Sequence, residues 1–214
     1  MSNTDQLIAQ IADPMVREIA QRGQVRSFPK GAIIINEGDR SDSIYVIVSG
    51  RVKVYVSDAE GREMVLDLYD AGDYVGEMSL DGQPRSASVI TLEPTQCAVV
   101  TRDSLRAAIS HNPDVALSLI ARLIDRARIA TDNVKNLALM DVYGRVAHLL
   151  LGLAKTQPDG SLVVQEKMTQ QDIAERVGAS RDMISRIFKD LTVGGYVSIT
   201  DRVITLHRKP PQRW

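Results

Sequence analysis

The chain has 214 residues, of which 44% are hydrophobic and 25% charged, and its formal net charge is −1. This length and composition fit two modest globular domains and exclude a fibrous or disordered chain. Residues 1–10 carry no basic stretch followed by an apolar run, and no apolar run reaches the roughly 18 residues of a membrane helix. We therefore expect a cytoplasmic protein that does not bind a membrane.

Cysteine and histidine are too few and too scattered to suggest redox, metal or nucleophilic chemistry. Cys97 is the only cysteine, so one chain can form neither an internal disulfide nor a multi-cysteine iron–sulfur site. Its strand-like setting favours a small core thiol over a reactive one. His111, His148 and His207 lie far apart in the sequence, and no set of nucleophile, base and orienting residue is visible. We expect that the protein is not an enzyme and has no metal or other cofactor.

The first half of the chain has the pattern of short antiparallel strands. Runs of β-branched and aromatic residues alternate with glycines from Val25 to Val100, which predicts a sandwich or barrel-like roll. Before it, Asp5 to Gln21 is predicted to be one short amphipathic helix. The predicted strands are Ile33–Ile35, Ile44–Val48, Arg51–Val56, Met64–Tyr69, Ser86–Ile90 and Gln96–Val100.

A long helix is predicted next, from Asn112-Pro113, where proline favours the first turn, to about Met140. Apolar and small side chains recur along it at alternating spacings of three and four, as in the seam of a coiled coil. A second apolar line could pack on the roll, so the pattern predicts a homodimer; a helix buried inside one monomer is the alternative. The seam comprises Leu117, Ile120, Ile124, Ala127, Thr131, Val134 and Ala138, and the second line comprises Leu119, Leu123, Ala130 and Leu137.

Positive charge is concentrated in the C-terminal part. From Tyr143 onward there are 11 Lys and Arg against 7 Asp and Glu, a net +4, which leaves 15 against 20, or −5, for the rest of the chain. Gly144 to Ala154 is predicted to be a further helix, ended by a turn at Pro158-Asp159-Gly160. The basic end is therefore the better candidate for contacts with phosphates.

Two short helices with a tight turn between them follow, in the pattern of a helix-turn-helix. Thr169 with Asp172 forms a capping start, Gly178 permits the turn, and Ser180 caps the second helix. The outward face of that helix carries arginines and a carboxylate, which can hydrogen-bond guanine and cytosine in the major groove, and the helix starts can hold phosphates. The predicted DNA-binding residues are Thr169, Gln171, Ser180, Arg181, Asp182, Ser185, Arg186, Lys189 and Arg202.

A β-hairpin wing is predicted after these helices. Its strands are Val197–Ile199 and Val203–Leu206, joined by Thr200-Asp201-Arg202, which places Arg202 near the tip for contact with backbone phosphate. The alternative for the two helices is an ordinary helical hairpin with a solvated charged face. Small Ala174 and apolar Ile184, with the glycine turn between them, favour the DNA-binding interpretation.

A second candidate site lies between Gly72 and Ser88, where charges interrupt strand-like residues. Gly76 permits close backbone approach, and Glu77 and Arg85 are predicted to form a charged pair inside apolar strands. Burying such charges is costly without partners. Arg85 can hold a phosphate bidentately with the Ser86 hydroxyl and N–H assisting, and Glu77 can accept from a ribose hydroxyl. The alternative is an internal Glu77–Arg85 salt bridge that binds no ligand.

The order of these motifs resembles the Crp/Fnr family from about Val25 to Leu206. The likeness lies in G-E-M-S-L-D-G-Q-P-R-S-A in the roll, N-L-A-L-M-D-V-Y-G-R after the long helix, and the winged helix-turn-helix. It implies an α+β fold with a cyclic-nucleotide-binding β-roll at 1–112, a dimerisation helix at 113–140 and a winged helix-turn-helix domain at 141–214. It also implies a cyclic phosphate at the arginine–serine pair and a base near the helix. The implied ligand-binding residues are Gly76, Glu77, Met78, Arg85, Ser86 and Thr131.

Two positions depart from the family pattern. Ala130 stands where family members that bind cyclic AMP have a second base-contacting hydroxyl, and Asp182 stands where glutamate is usual. The resemblance therefore specifies neither which base the ligand carries nor whether Asp182 contacts a base of the DNA.

The resemblance implies a transcription regulator that a cyclic nucleotide controls. Cyclic AMP is the first expectation, and cyclic GMP, cyclic di-GMP or no ligand are the alternatives. Ligand binding is expected to turn two recognition helices of a dimer to the spacing of successive major grooves on a pseudo-palindromic site. RNA polymerase is a possible further partner, although the turn at Gln157 to Gly160 is shorter than the family's polymerase-contacting loop. A regulatory subunit of an enzyme is a more distant hypothesis, which the helix-turn-helix disfavours.

Overall fold

The structure is a computed structural model that describes residues 3–158 and 160–210. It contains two compact units, residues 1–127 and 128–214, and the boundary falls within the long helix. The predicted α+β class and the order of β-roll, long helix and helix-turn-helix are confirmed. The finer division at 112/113 and 140/141 stays a prediction.

Two short helices precede the roll, where the sequence predicted one. They are α1 (Asn3–Ala9) and α2 (Pro14–Gln21). Asp13 has an extended backbone, and its carboxylate accepts hydrogen bonds from the N–H groups of Met15, at 2.9 Å, and Val16, at 3.3 Å. Because proline has no N–H to continue a preceding helix but fits the first turn of a new one, the chain restarts here. The single predicted helix is wrong at this point.

The roll is built from eight antiparallel strands. They are β1 (Gln24–Phe28), β2 (Ile33–Ile35), β3 (Ile44–Ser49), β4 (Arg51–Ser57), β5 (Glu63–Asp70), β6 (Tyr74–Val75), β7 (Ser88–Thr91) and β8 (Thr95–Val100). They form two four-stranded sheets with the orders β1-β8-β3-β6 and β2-β7-β4-β5. Two clusters of buried side chains fill the roll, one around Ile44 and Tyr74 and the other around Ile47 and Val52. The predicted roll is therefore confirmed.

Three elements of the first unit escaped the sequence prediction. The edge strand β1 has exposed polar residues at most positions, and β6 is two residues long, so neither has a readable alternation. The helix α3 (Arg102–His111) begins at the cap Thr101, whose hydroxyl accepts from the N–H of Ser104 at 3.2 Å. β7 starts later than predicted, so Arg85 and Ser86 lie in the loop before it.

Cys97 lies on β8 and is fully buried, as predicted for a core thiol. Burial raises the pKa of this thiol to about 12, because the thiolate would lose its hydration. Few thiolates form at neutral pH, so Cys97 is unreactive.

The long helix α4 covers Asp114–Leu139, close to its predicted bounds, and Val115 is its one buried residue. The predicted seam is exposed to solvent: Leu117 is 64% exposed and Val134 is 66% exposed. The alternative of a helix buried inside one monomer is therefore wrong. In the second apolar line, Leu119 packs against the core of the roll as predicted, but Leu123 is 42% exposed.

The second unit contains a further helix, the helix-turn-helix and a small antiparallel sheet. The elements are α5 (Val142–Leu153), β9 (Ala154–Thr156), β10 (Leu162–Val164), α6 (Gln170–Val177), α7 (Arg181–Val193), β11 (Val197–Thr200) and β12 (Val203–Leu206). The predicted wing is confirmed, but it belongs to a four-stranded sheet of order β11-β12-β10-β9. Asp159 of the predicted turn lies outside the described residues. No described helix is both long enough and apolar enough to span a membrane.

The arginine of the N-L-A-L-M-D-V-Y-G-R segment connects three elements of this unit. The Arg145 guanidinium donates to the carbonyls of Met140 at 2.9 Å, Val177 at 2.8 Å and Gly178 at 3.3 Å. Because the last carbonyls of a helix have no partner within it, this side chain satisfies the end of α6 and fixes the turn before α7.

Candidate ligand and DNA-binding sites

The candidate ligand site of the roll, which we call the ligand cradle, is the segment from Gly76 to Ser86 together with the side chains that contact it. Gly76 has φ of 90°, in the left-handed region, and a Cβ there would lie 2.5 Å from Nη1 of Arg85. Only glycine fits this position. A 3-10 helix, Glu77–Asp81, follows directly, and it carries the predicted ribose-binding carboxylate.

Arg85 is a buried cation with neutral partners. Its side chain donates to the carbonyls of Gly76 at 2.5 Å and Ser43 at 2.7 Å, and to the Ser41 hydroxyl at 3.0 Å. The residue is 5% exposed, and this burial lowers the pKa of its guanidinium from the ordinary value. No carboxylate of the described chain lies within ion-pair distance of it. The cradle therefore contains a fixed positive charge that no ion pair neutralises.

Glu77 forms its ion pair with Arg126 of α4, and the prediction that it pairs with Arg85 is wrong. The Glu77 carboxylate lies 2.7 Å from Nη1 of Arg126, and the two side chains are 10% and 18% exposed. Arg126 also donates to the carbonyl of Tyr74 at 2.5 Å, and its guanidinium lies over the rings of Tyr69 and Tyr74. Burial by itself lowers the pKa of Arg126, but the Glu77 carboxylate raises it above its ordinary value. The alternative of an internal Glu77–Arg85 salt bridge that binds no ligand is therefore also wrong.

Ser86 and Met78 lie at the solvent-facing edge of the cradle. The Ser86 hydroxyl donates to the Met78 sulfur at 3.2 Å, and Met78 is 61% exposed. The structure places these two residues close to Gly76, Glu77 and Arg85, and the role of all five in ligand binding stays a prediction. Thr131 lies on an exposed part of α4 in the second unit, and its role stays a prediction.

Three contributors to the cradle were missed by the sequence interpretation. Arg126 partners Glu77, Ser41 orients Arg85, and Arg102 donates to the carbonyl of Leu80 at the end of the 3-10 helix. Each contact joins residues that are far apart in the chain. Of the three, only Arg126 could have been identified from the sequence, because it is a charged residue on a partly apolar helix.

The helix-turn-helix has the predicted caps. The Thr169 hydroxyl accepts from the N–H of Asp172 at 3.1 Å, and the Asp172 carboxylate accepts from the N–H of Thr169 at 2.7 Å. Gly178 ends α6 with φ of 65°, and the Ser180 hydroxyl accepts from the N–H of Met183 at 3.3 Å. Gln171 is exposed beside them and donates to Glu175 at 2.9 Å. The reciprocal bonds of Thr169 and Asp172 fix the start of α6, and the single bond to Ser180 fixes the start of α7.

The second helix, α7, has one apolar face and one exposed polar face. Ile184, Ile187, Phe188 and Leu191 are buried in the core of the second unit. The predicted recognition residues are all exposed: Arg181, Asp182, Ser185, Arg186 and Lys189. Met183, which is 40% exposed, adds an apolar group that the sequence interpretation missed, and such a group can contact a thymine methyl.

The wing ends in a strained two-residue turn. Asp201 has φ of 50° and Arg202 has φ of 65°, both in the left-handed region, where residues other than glycine are disfavoured. Arg202 is exposed at this tip, as predicted. Two consecutive residues with positive φ give the hairpin the twist of its strands and project the arginine side chain.

Comparison with known proteins gives matches over both units. A model of the cyclic nucleotide-binding domain matches residues 25–112, and a model of the Crp-like helix-turn-helix domain matches residues 144–210. The chain is 35% identical over 202 residues to the cAMP-activated global transcriptional regulator CRP of Escherichia coli, covering 91% of this chain and 95% of that protein. It is 33% identical over 195 residues to the CRP-like cAMP-activated global transcriptional regulator of Mycobacterium tuberculosis, covering 89% and 87%. Among solved structures, the c-di-GMP responsive regulator CLP of Xanthomonas campestris superposes with a TM-score of 0.78 at 24% identity, covering 91% and 98%.

Proposed function

This chain belongs to the Crp/Fnr family of cyclic nucleotide-binding, DNA-binding transcription regulators, and we propose that it is a homodimer whose DNA binding is controlled by cyclic AMP. The observation that carries the proposal is Arg85, a buried guanidinium with neutral partners. An unpaired buried charge is costly, and an anion that enters the cradle removes that cost. A cyclic phosphate has the charge and the geometry for this.

The cradle residues have complementary roles toward such a ligand. Arg85 and Ser86 bind the phosphate, and Glu77 accepts from a ribose hydroxyl while Arg126 holds its carboxylate in place. Gly76 lets the ligand approach the backbone, and Met78 lies beside Ser86 at the edge of the phosphate site. The resemblance to the family assigns Thr131 to the base of the ligand. A ligand held this way connects the 3-10 helix to α4, because Glu77 is already paired with that helix.

Cyclic AMP is favoured over the other nucleotides for two reasons. The relatives from E. coli and M. tuberculosis are both cAMP-activated regulators and match almost the whole chain. The cradle has one buried arginine with an adjacent serine, which fits one cyclic phosphate better than the two phosphates of cyclic di-GMP. The CLP protein responds to cyclic di-GMP, but at 24% identity it supports the fold alone.

The exposed seam of α4 is proposed to be covered by a second copy of the chain. Its apolar side chains include Leu117, Ile120, Ile124 and Val134, and a helix with such a stripe exposed is unstable in water. Two copies would bury both seams and present two α7 helices to a pseudo-palindromic operator. We further propose that the protein acts in the cytoplasm, catalyses no reaction, and contacts RNA polymerase once bound to DNA.

Titration calorimetry with cyclic AMP, cyclic GMP and cyclic di-GMP tests the ligand. We expect one molecule of cyclic AMP per chain and the tightest affinity for it. Tighter binding of another nucleotide would show that this nucleotide, and not cyclic AMP, is the effector. No binding of any of the three would contradict control by a nucleotide. Light scattering of the same samples should give twice the mass of one chain, whereas a monomer would contradict the dimer.

A further inference from the structure

Met78 places an oxidisable sulfur at the edge of the ligand cradle. We propose that Met78 is a modification site, at which oxidation by a peroxide to methionine sulfoxide weakens nucleotide binding. The inference rests on the proposed function, because the oxidation would control nucleotide binding at the same cradle.

Met78 is the most accessible methionine of the described residues. Met78 is 61% exposed, whereas Met183 is 40% exposed and Met168 is buried at 5%. Met15, Met64 and Met140 are half-buried. Since a peroxide must reach the sulfur from solvent, Met78 is expected to react first.

The position of Met78 is fixed by the segment that carries it. The fully buried Ser79 donates its hydroxyl proton to the carbonyl of Gly76 at 3.1 Å, and Arg102 donates to the carbonyl of Leu80. These bonds hold both ends of the 3-10 helix. The backbone that carries Met78 is therefore held beside the cradle.

The sulfur is already connected to the proposed phosphate-binding group. The Ser86 hydroxyl donates to Sδ of Met78 at 3.2 Å, and Ser86 directly follows Arg85 in the chain. A thioether is a weak acceptor, so this hydroxyl can turn to a phosphate at little cost. The second lone pair of the sulfur is available for reaction.

The oxidation balances with one peroxide. A sulfur lone pair attacks one oxygen of hydrogen peroxide, and the O–O bond breaks. The leaving hydroxide then takes the proton from the oxygen that is now bound to sulfur, which forms water. The sulfur loses two electrons and gains a polar S=O bond, and the peroxide is reduced. Methionine sulfoxide reductases reverse the change with electrons from a dithiol, and they release the oxygen as water.

The sulfoxide acts against the ligand in two ways. Its oxygen is a much stronger acceptor than the thioether, so it holds the Ser86 hydroxyl that the phosphate needs. The negative end of the S=O dipole also lies next to the place of an anionic phosphate. Losing one charge-assisted hydrogen bond and adding this repulsion lowers nucleotide affinity by about 10-fold or more.

The experiment compares full-length wild type, Met78→Leu and Met183→Leu before and after limited treatment with hydrogen peroxide. Peptide mass spectrometry locates each added oxygen, and calorimetry measures the affinity for cyclic AMP. Each variant is compared with its own untreated sample, so that any effect of the substitution itself cancels. Met78→Gln, which places a polar side chain at the same position, is measured without peroxide.

We expect wild type and Met183→Leu to lose about 10-fold in affinity as Met78 gains one oxygen, and a sulfoxide reductase to restore it. Met78→Leu should keep its untreated affinity, and Met78→Gln should bind more weakly than Met78→Leu. Unchanged affinity in wild type with Met78 oxidised, or an equal loss in Met78→Leu, overturns the inference and leaves the proposed function intact. Untreated wild type that binds none of the three nucleotides overturns both.

Discussion

The ligand cradle and the recognition helix both present arginines, but in opposite environments. Arg85 is 5% exposed and donates three hydrogen bonds. Arg186 is exposed on α7, where only the apolar side chains are buried. The three hydrogen bonds stabilise the cradle and hold the Arg85 guanidinium in one orientation, which suits the small anion that we propose it binds. The recognition helix leaves its side chains adjustable, as contacts with a hydrated groove require. Substitutions should change folding and binding together in the cradle, and binding alone on α7.

The largest effect is expected for Arg85→Leu. The nucleotide loses its charged partner, and the carbonyls of Gly76 and Ser43 lose their donor. We expect affinity for cyclic AMP to fall by about 100-fold or more and the free energy of unfolding to fall by about 2 kcal/mol. Calorimetry and urea denaturation measure the two quantities.

Arg40→Leu is the matched control for Arg85→Leu, because Arg40 is exposed in the loop that packs on Arg85. It removes the same charge from the same region, and its affinity should stay within about threefold of wild type. Nucleotide binding by Arg85→Leu at the wild-type level would contradict the assignment of the cradle.

The next effect is expected for Arg186→Ala on DNA. Losing a contact to a base edge should weaken operator binding by about 10- to 100-fold, without changing the unfolding free energy by more than about 0.5 kcal/mol. Lys167→Ala serves as the control for simple loss of positive charge, since Lys167 is exposed outside α7. Anisotropy with operator and unrelated duplexes measures both. An equal loss for the two variants on both duplexes would show that Arg186 reads no base.

A smaller effect is expected for Ser41→Ala, which tests the orientation of Arg85. The Arg85 guanidinium would lose its hydroxyl acceptor but keep the two carbonyls. Affinity for cyclic AMP should fall by about 3- to 10-fold, and Ser41→Thr, which keeps a hydroxyl, should restore most of it. Equal affinities for Ser41→Ala and wild type would mean that the two carbonyls orient the guanidinium without Ser41.

The smallest effect is expected for Arg202→Gly at the wing. Glycine relieves a residue held at φ of 65°, so the unfolding free energy should rise by up to about 1 kcal/mol. At the same time the loss of one phosphate contact should lower DNA affinity a few-fold and reduce the slope of log K against log salt by about 1. An unchanged slope would remove Arg202 from the DNA interface.

The two sites also differ in how far the sequence predicts them. The recognition helix depends on local spacing, because Ile184 and Arg186 face opposite ways on one regular helix, and those residues were assigned correctly to the inside and the outside. The cradle depends on contacts between distant segments. Glu77 was assigned to Arg85, which is close in sequence, whereas its ion pair is with Arg126.

The same distinction holds for the fold. Strands with glycine corners and alternating β-branched residues were located within one or two residues. The strands β6, β9 and β10 have two or three residues each, too few to show a period. The wing hairpin becomes part of a four-stranded sheet because β10 pairs with β12. Such pairing depends on how the folded chain brings distant strands together, and local propensity does not predict it.

The most direct test measures the affinity of purified protein for an operator, selected from random duplexes, at fixed salt with and without cyclic AMP. Wild type should bind at least about 10-fold more tightly with the nucleotide, and Arg85→Leu should bind with equal affinity in both conditions. Equal affinity of wild type with and without the nucleotide would contradict the claim that an anion at Arg85 controls DNA binding.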